Sequence, residues 1–151
     1  MPVHNEDVAV IFEEIADLLE IEDANPFRVR AYRNAARTVR TLGKDLAQLV
    51  AEEQDLTRLP GIGKDLAAKI VEIIETGTAH ALDDLHKDVP ATLEQLLKIP
   101  GLGPKRVKTI YQELKVENLT QLEQAARNGE LESLPGFGAK TQQQILDTIA
   151  A

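Results

Sequence analysis

Three short segments of this 151-residue chain place two glycines and a lysine around a tight apolar turn. They are Leu59-Pro60-Gly61-Ile62-Gly63-Lys64, Ile99-Pro100-Gly101-Leu102-Gly103-Pro104-Lys105 and Leu134-Pro135-Gly136-Phe137-Gly138-Ala139-Lys140. Both glycines of each segment permit positive φ and let a partner approach the backbone, while Ile62, Leu102 or Phe137 can tuck inward. Backbone N–H groups at the start of a following helix lie at the positive end of its dipole, which makes an anion site suited to a phosphate oxygen. Lys64, Lys105 and Lys140 would add charge there. Mononucleotide binding of the P-loop kind is excluded, since no Gly-x4-Gly-Lys-Ser/Thr run occurs, and the first segment lacks the third glycine of a dinucleotide fingerprint.

A second group of residues has the right type for anion chemistry. From Phe27 to Lys44 the chain carries Arg28, Arg30, Arg33, Arg37, Arg40 and Lys44 with no acid. At about 100° per residue, Arg30, Arg33, Arg37 and Arg40 fall within about an 80° arc of a helix, and Val29, Tyr32, Ala36 and Val39 line an adjacent face that can pack. The formal charge is nevertheless −8. Eight of the 25 acids (Glu6, Asp7, Glu13, Glu14, Asp17, Glu20, Glu22 and Asp23) and none of the 17 bases lie in residues 1–26, so the remainder is electrically balanced. The charge therefore describes a polarised surface, with an acidic first helix expected to face away from any polyanion.

Other chemistries find little support. Cys is absent, which removes disulfides, thiolate metal sites and Cys nucleophiles, and fits a reducing compartment. His80 and His86 flank Asp83 and Asp84 without a further ligand nearby, so they read as a polar helix surface rather than a metal site. No run approaches the roughly 18 apolar residues that span a membrane, and the start lacks a basic region followed by an apolar core; an intracellular protein, cytoplasmic and associated with the nucleoid, is expected.

The elements that must position these groups are helices. Val8, Ile11, Phe12, Ile15, Leu18 and Leu19 give helical spacing over 6–19, with Asn5 as N-cap. Asn25-Pro26 reads as a cap and a first helical position, and Gly43 closes a second helix over 26–42. Further helices are expected at 45–53, 64–76, 79–87, 91–98, 104–114, 120–128 and 140–150, with no convincing period-two alternation. The fold class is all-α. The first glycines of the three turns stand 40 and then 35 residues apart, and Ile70, Ile110 and Ile145 each lie seven residues past the second glycine. The turn is thus part of a repeated unit.

A helix, this turn and a second helix resemble the helix-hairpin-helix element of DNA repair proteins. The order of the acidic helix, NPFRVRAYRNAARTVR, LTRLPGIGKDLAAKIVEIIETG, IPGLGPKRVKTIY and LPGFGAK resembles the N-terminal part of a bacterial family X (DNA polymerase β-like) DNA polymerase. The resemblance covers essentially the whole chain and is most specific over 26–40 and 59–77. It implies a lyase-type helical domain at 1–88 with the first hairpin, then a tandem hairpin, thumb-like subdomain at 89–151. It further implies a monomer that binds gapped, nicked or 5′-phosphorylated DNA through the arginines named above and through Gly61, Gly63, Gly101, Gly103, Gly136, Gly138 and their lysines. Contacts to phosphates rather than base edges make binding independent of sequence and strongly dependent on salt. No tightly bound cofactor is expected, but the backbone carbonyls of Thr57, Leu59 and Ile62, and of Leu97, Ile99 and Leu102, match places where hairpins of this family hold Na+ or K+. The palm domain of the family has no counterpart within these residues, so this chain alone is not expected to polymerise DNA.

The resemblance also assigns a catalytic candidate. Lys69 matches the lysine that forms a Schiff base with a 5′-deoxyribose phosphate in lyase-active members, and the corresponding repeat positions are Thr109 and Gln144, so the hairpin itself does not demand lysine. Arg28 and Tyr32 match a 5′-phosphate pocket, although Phe27 replaces a histidine. Asp65, one turn before Lys69, favours the ammonium form, and both Asp65 and Ala68 depart from the lyase pattern. Two alternatives stay open beside backbone binding: an autonomous lyase using Lys69, and a hairpin-repeat scaffold that docks proteins through the acidic helix.

Overall fold

The computed structural model describes residues 2–22 and 25–151; Asp23, the last acid of the N-terminal run, lies outside them. Every regular element among the described residues is helical. By its contacts the chain divides into two units, residues 1–19 with 23–87, and residues 20–22 with 88–151.

The first unit is built from α1 (Asn5–Ile21), α2 (Pro26–Thr41), α3 (Leu46–Ala51), a 3₁₀ turn (Leu56–Arg58), α4 (Lys64–Thr76) and most of α5 (His80–Asp88). Asn25 caps α2 as its sequence position suggests, its side chain accepting from the Phe27 N–H at 2.9 Å. Asn5 does not cap α1. It lies inside the helix, where its amide donates to the Lys44 carbonyl at 2.7 Å and accepts from the Leu46 N–H at 2.9 Å. One carboxamide can satisfy both groups, so Asn5 ties α1 to the entrance of α3 instead. Gly43 lies past the helix end, which Leu42 closes in an extended conformation. The third helix is shorter than its pattern, because Glu53 turns left-handed (φ 56°) and the Gln54 N–H returns to the Leu49 carbonyl.

Phe12, Ile15, Val39, Leu46, Ile70 and Ile73 are fully buried, and Phe12 meets Tyr32 edge-on at 5.8 Å between ring centres. An aromatic pair of this geometry adds about 0.5–1.5 kcal/mol to the area it buries. With so few aromatics in the chain, this contact is a main anchor of α2 on α1.

In the second unit α6 (Leu93–Leu97) packs on α7 (Pro104–Leu114), and α8 (Leu119–Arg127) on α9 (Ala139–Ala150). Leu93, Leu96, Val107, Ile110, Leu122, Leu131 and Ile145 form its buried set. Each hairpin thus buries one apolar face of its second helix, as the anchors Ile110 and Ile145 foreshadow.

Candidate nucleic-acid interface

The three glycine turns share one backbone geometry. Gly61, Gly101 and Gly136 have φ of 74°, 89° and 81°, where a Cβ costs about 1–2 kcal/mol. Ile62, Leu102 and Phe137 each donate their N–H to the carbonyl three residues earlier, Leu59, Ile99 and Leu134, at 3.0–3.1 Å. The second glycines differ from expectation: Gly63 (−88°, −174°), Gly103 (−86°, 178°) and Gly138 (−155°, 178°) are extended and serve as the N-caps of α4, α7 and α9. Positive φ is therefore the task of the first glycine alone. The second supplies a cap without a side chain, and a Cβ added there would meet nothing within 4 Å.

The consequence is chemical. None of these three helices has a side-chain cap, so the first-turn N–H groups, which lack an intrahelical acceptor in any helix, receive no capping side chain either, and they stand at the positive pole of the dipole; α7 offers one fewer, because Pro104 has no N–H. Lys64, Lys105 and Lys140 are exposed beside them. The carbonyls of Leu59 and Ile99 accept one hydrogen bond each within the turn and keep a second lone pair.

The first turn is also tied to the arginine helix, since Thr38 Oγ1 donates to the Pro60 carbonyl at 2.9 Å. The five arginines of that helix and Lys44 just past its end do not share one fate. Arg40 is held by Glu6 at 3.0 Å and by Glu13 at 2.8 Å, and Arg33 by Asp17 at 3.0 Å. The Glu6 hydrogen bond is the main cause of an Arg40 pKa above its ordinary value. The acidic helix is thus not simply turned away: part of its charge is spent on the stripe. Arg28, Arg30, Arg37 and Lys44 are exposed, with Arg30 lying 5.7 Å over the ring of Phe27, itself 75% exposed.

Lys69 and Tyr32 come together beneath this surface. The Lys69 side chain is only 17% exposed and donates to Asp65 at 2.9 Å. Burial alone would lower its pKa, but the Asp65 hydrogen bond and the nearby Tyr32 phenol outweigh it, and the ammonium is held above the ordinary lysine value. The Tyr32 hydroxyl is buried and makes no hydrogen bond of acceptable geometry among the described residues. The hydroxyl faces the Lys69 ammonium, whose pKa it helps to raise. His80 pairs with Glu72 rather than with Asp83 or Asp84, and the described residues contain no group of three His, Cys, Asp or Glu able to hold a metal.

One residue that the sequence reading passed over links the second and third turns. Arg106 donates from Nη1 to the Gly101 carbonyl at 2.8 Å and from Nη2 to the Gly136 carbonyl at 3.1 Å, with its guanidinium 5.4 Å over the Phe137 ring. Its signal was a neighbour of Lys105 at the third position past Gly103, where the other hairpins carry Leu66 and Thr141.

Residues 3–79 match the family described as helix-hairpin-helix domain. The chain belongs to that family. The stretches 72–117 and 93–151 match the SAM-like helix-hairpin-helix tandem, which accounts for the second and third turns. The chain is similar to the DNA polymerase/3′-5′ exonuclease PolX of Bacillus subtilis (strain 168), 35% identical over 97% of its own length and 25% of that protein. It is 27% identical to DNA polymerase lambda of Rattus norvegicus over 80% of its length, or 20% of the relative. A shorter stretch, 37% of the chain, is 41% identical to the Holliday junction branch migration complex subunit RuvA of Leptothrix cholodnii, covering 29% of that subunit. The chain spans a quarter or less of the length of its polymerase relatives, and the similarity to family X polymerases is one to their N-terminal region.

Proposed function

We propose that this chain holds the sugar–phosphate backbone of DNA without reading its sequence, at gaps, nicks or 5′-phosphates, as the DNA-gripping N-terminal part of a family X repair polymerase. The observation that carries this reading is the threefold occurrence of an uncapped helix N-terminus behind an extended glycine, open to solvent and flanked by lysine. Backbone donors aimed at one oxygen suit phosphate and ignore base identity. In each unit the hairpins would take phosphates through Gly61, Gly63, Lys64, Gly101, Gly103, Lys105, Gly136, Gly138 and Lys140. The carbonyls of Thr57, Leu59 and Ile62, and of Leu97, Ile99 and Leu102, would hold a Na+ or K+ ion between turn and phosphate. Arg28, Arg37 and the Tyr32 hydroxyl would receive a 5′-phosphate. The chain would act as a monomer in the cytoplasm. Fluorescence anisotropy with gapped, nicked and intact duplexes tests this: tighter binding to the gapped, 5′-phosphorylated form is expected, and no binding to any of them at low salt would overturn it.

A second reading rests on the sheltered position of Lys69 beside Tyr32. The neutral Lys69 amine would attack the C1′ aldehyde of a 5′-deoxyribose phosphate and water would leave to give the Schiff base; loss of a C2′ proton to water would then break the C3′–O bond and free the DNA 5′-phosphate, and hydrolysis would return the amine. Asp65 opposes this by holding the proton on Nζ. Borohydride trapping should therefore yield little adduct at neutral pH, more in Asp65→Asn, and none in Lys69→Ala; equal yields with and without Lys69 would remove it as nucleophile.

A further inference from the structure

We propose that Arg106 is the positioning residue that locks the second and third hairpin turns into a single two-point grip on the DNA backbone. The inference rests on the backbone-binding reading above. Its basis is the pinning of two peptide groups by one side chain. The Gly101–Leu102 peptide gives its carbonyl to Arg106 Nη1 and its N–H to the Ile99 carbonyl, while the Gly136–Phe137 peptide gives its carbonyl to Arg106 Nη2 and its N–H to the Leu134 carbonyl. Each peptide is fixed at both ends, one residue before the glycine that caps α7 or α9. The direction in which each helix offers its free N–H groups is thereby set by the same guanidinium.

A planar, always charged fork with parallel donors suits this task, and Phe137 supplies a face on which the fork lies. Phe137 thus acts on the third turn from outside, whereas Ile62 and Leu102 plug their own turns, 3% and 2% exposed. An arginine reaching only for phosphate would not need both of its terminal nitrogens on backbone carbonyls. Two sites held at fixed spacing bind a polymer more tightly than two that move independently, because the second contact follows the first without a further loss of orientation.

The test is a double-mutant cycle on the full chain, reading affinity for a duplex oligonucleotide by anisotropy and folding by circular dichroism. Lys140→Ala should weaken binding about five-fold when Arg106 is intact but less than about two-fold in an Arg106→Lys background, since the third turn is already uncoupled there. Arg106→Lys keeps the charge, so a direct phosphate contact would survive it, while a fork-dependent tie would not. Phe137→Leu, which removes the stacking face and leaves Arg106 in place, should lower the coupling in the same direction. Strictly additive losses, or full binding by Arg106→Lys, would overturn the inference while leaving DNA binding intact. Failure of the unaltered chain to bind duplex at low salt would overturn the DNA reading and this inference with it.

Discussion

The second glycine of each turn separates folding from binding at the level of one residue. At Gly103 the backbone is already extended, as a side-chain N-cap requires, and a new side chain would enter open space. Gly103→Ser should therefore stabilise the fold by a few tenths of a kcal/mol, because serine is a better N-cap than glycine. The same hydroxyl would take the N–H groups that phosphate needs, so duplex affinity should fall several-fold while Tm rises slightly. A parallel fall of both would mean that the helix N-terminus is structural only. Gly101→Ala should show the opposite balance, since its φ of 89° puts the strain on the fold itself. At this scale the sequence was informative where a residue acts on near neighbours: the four-residue spacing of Asp65 and Lys69 is the ion pair seen at 2.9 Å. Arg106 escaped because its partners are backbone carbonyls five and thirty residues away, which no residue-type pattern encodes. Both glycines looked equivalent in sequence although only the first needs positive φ, because residue type alone does not separate a left-handed position from an extended cap.

Among elements, the helix bounds were largely written in caps and apolar spacing, so α2, α4 and α7 begin where Pro26, Lys64 and Pro104 suggest. What spacing did not convey is the partner of an exposed face. The stripe on α2 runs against the acids of α1, and the pairs that result divide it into a neutralised part, Arg33 and Arg40, and an exposed part, Arg30 and Arg37. Glu6 and Glu13 thus compete with any phosphate that approaches Arg40. Replacing both by glutamine should tighten DNA binding about two- to five-fold at low salt, with a stability loss below about 1 kcal/mol per pair, the range of exposed ion pairs. Conversely, Arg37→Ala should weaken binding more than Arg40→Ala. Isothermal titration alongside thermal melts would check both, and unchanged affinity in the double glutamine variant would show that Arg40 lies off the DNA path.

For the whole molecule, the net charge of −8 bears on how DNA is approached rather than on whether it is held. A strongly basic protein draws DNA from a distance, whereas this chain has a balanced remainder and an acidic helix partly discharged by its own arginines. Its affinity must come from local contacts, and their number is open to counting. Each phosphate neutralised contributes about −0.9 to the slope of log affinity against log salt on duplex DNA. If the three turns each neutralise one phosphate, affinity should drop about 40-fold between 50 and 200 mM salt. Charge removal at Lys64, Lys105 and Lys140 one at a time should flatten the slope by about one unit each, because the turn's N–H groups remain but the counterion is no longer displaced. Two turns acting through the Arg106 tie would instead lose slope together when the tie is cut, although no cation has been removed from either. A slope near zero for the unaltered chain would exclude phosphate neutralisation as the source of its binding. A slope far beyond that of three contacts would require the exposed arginines of α2 to share the same strand.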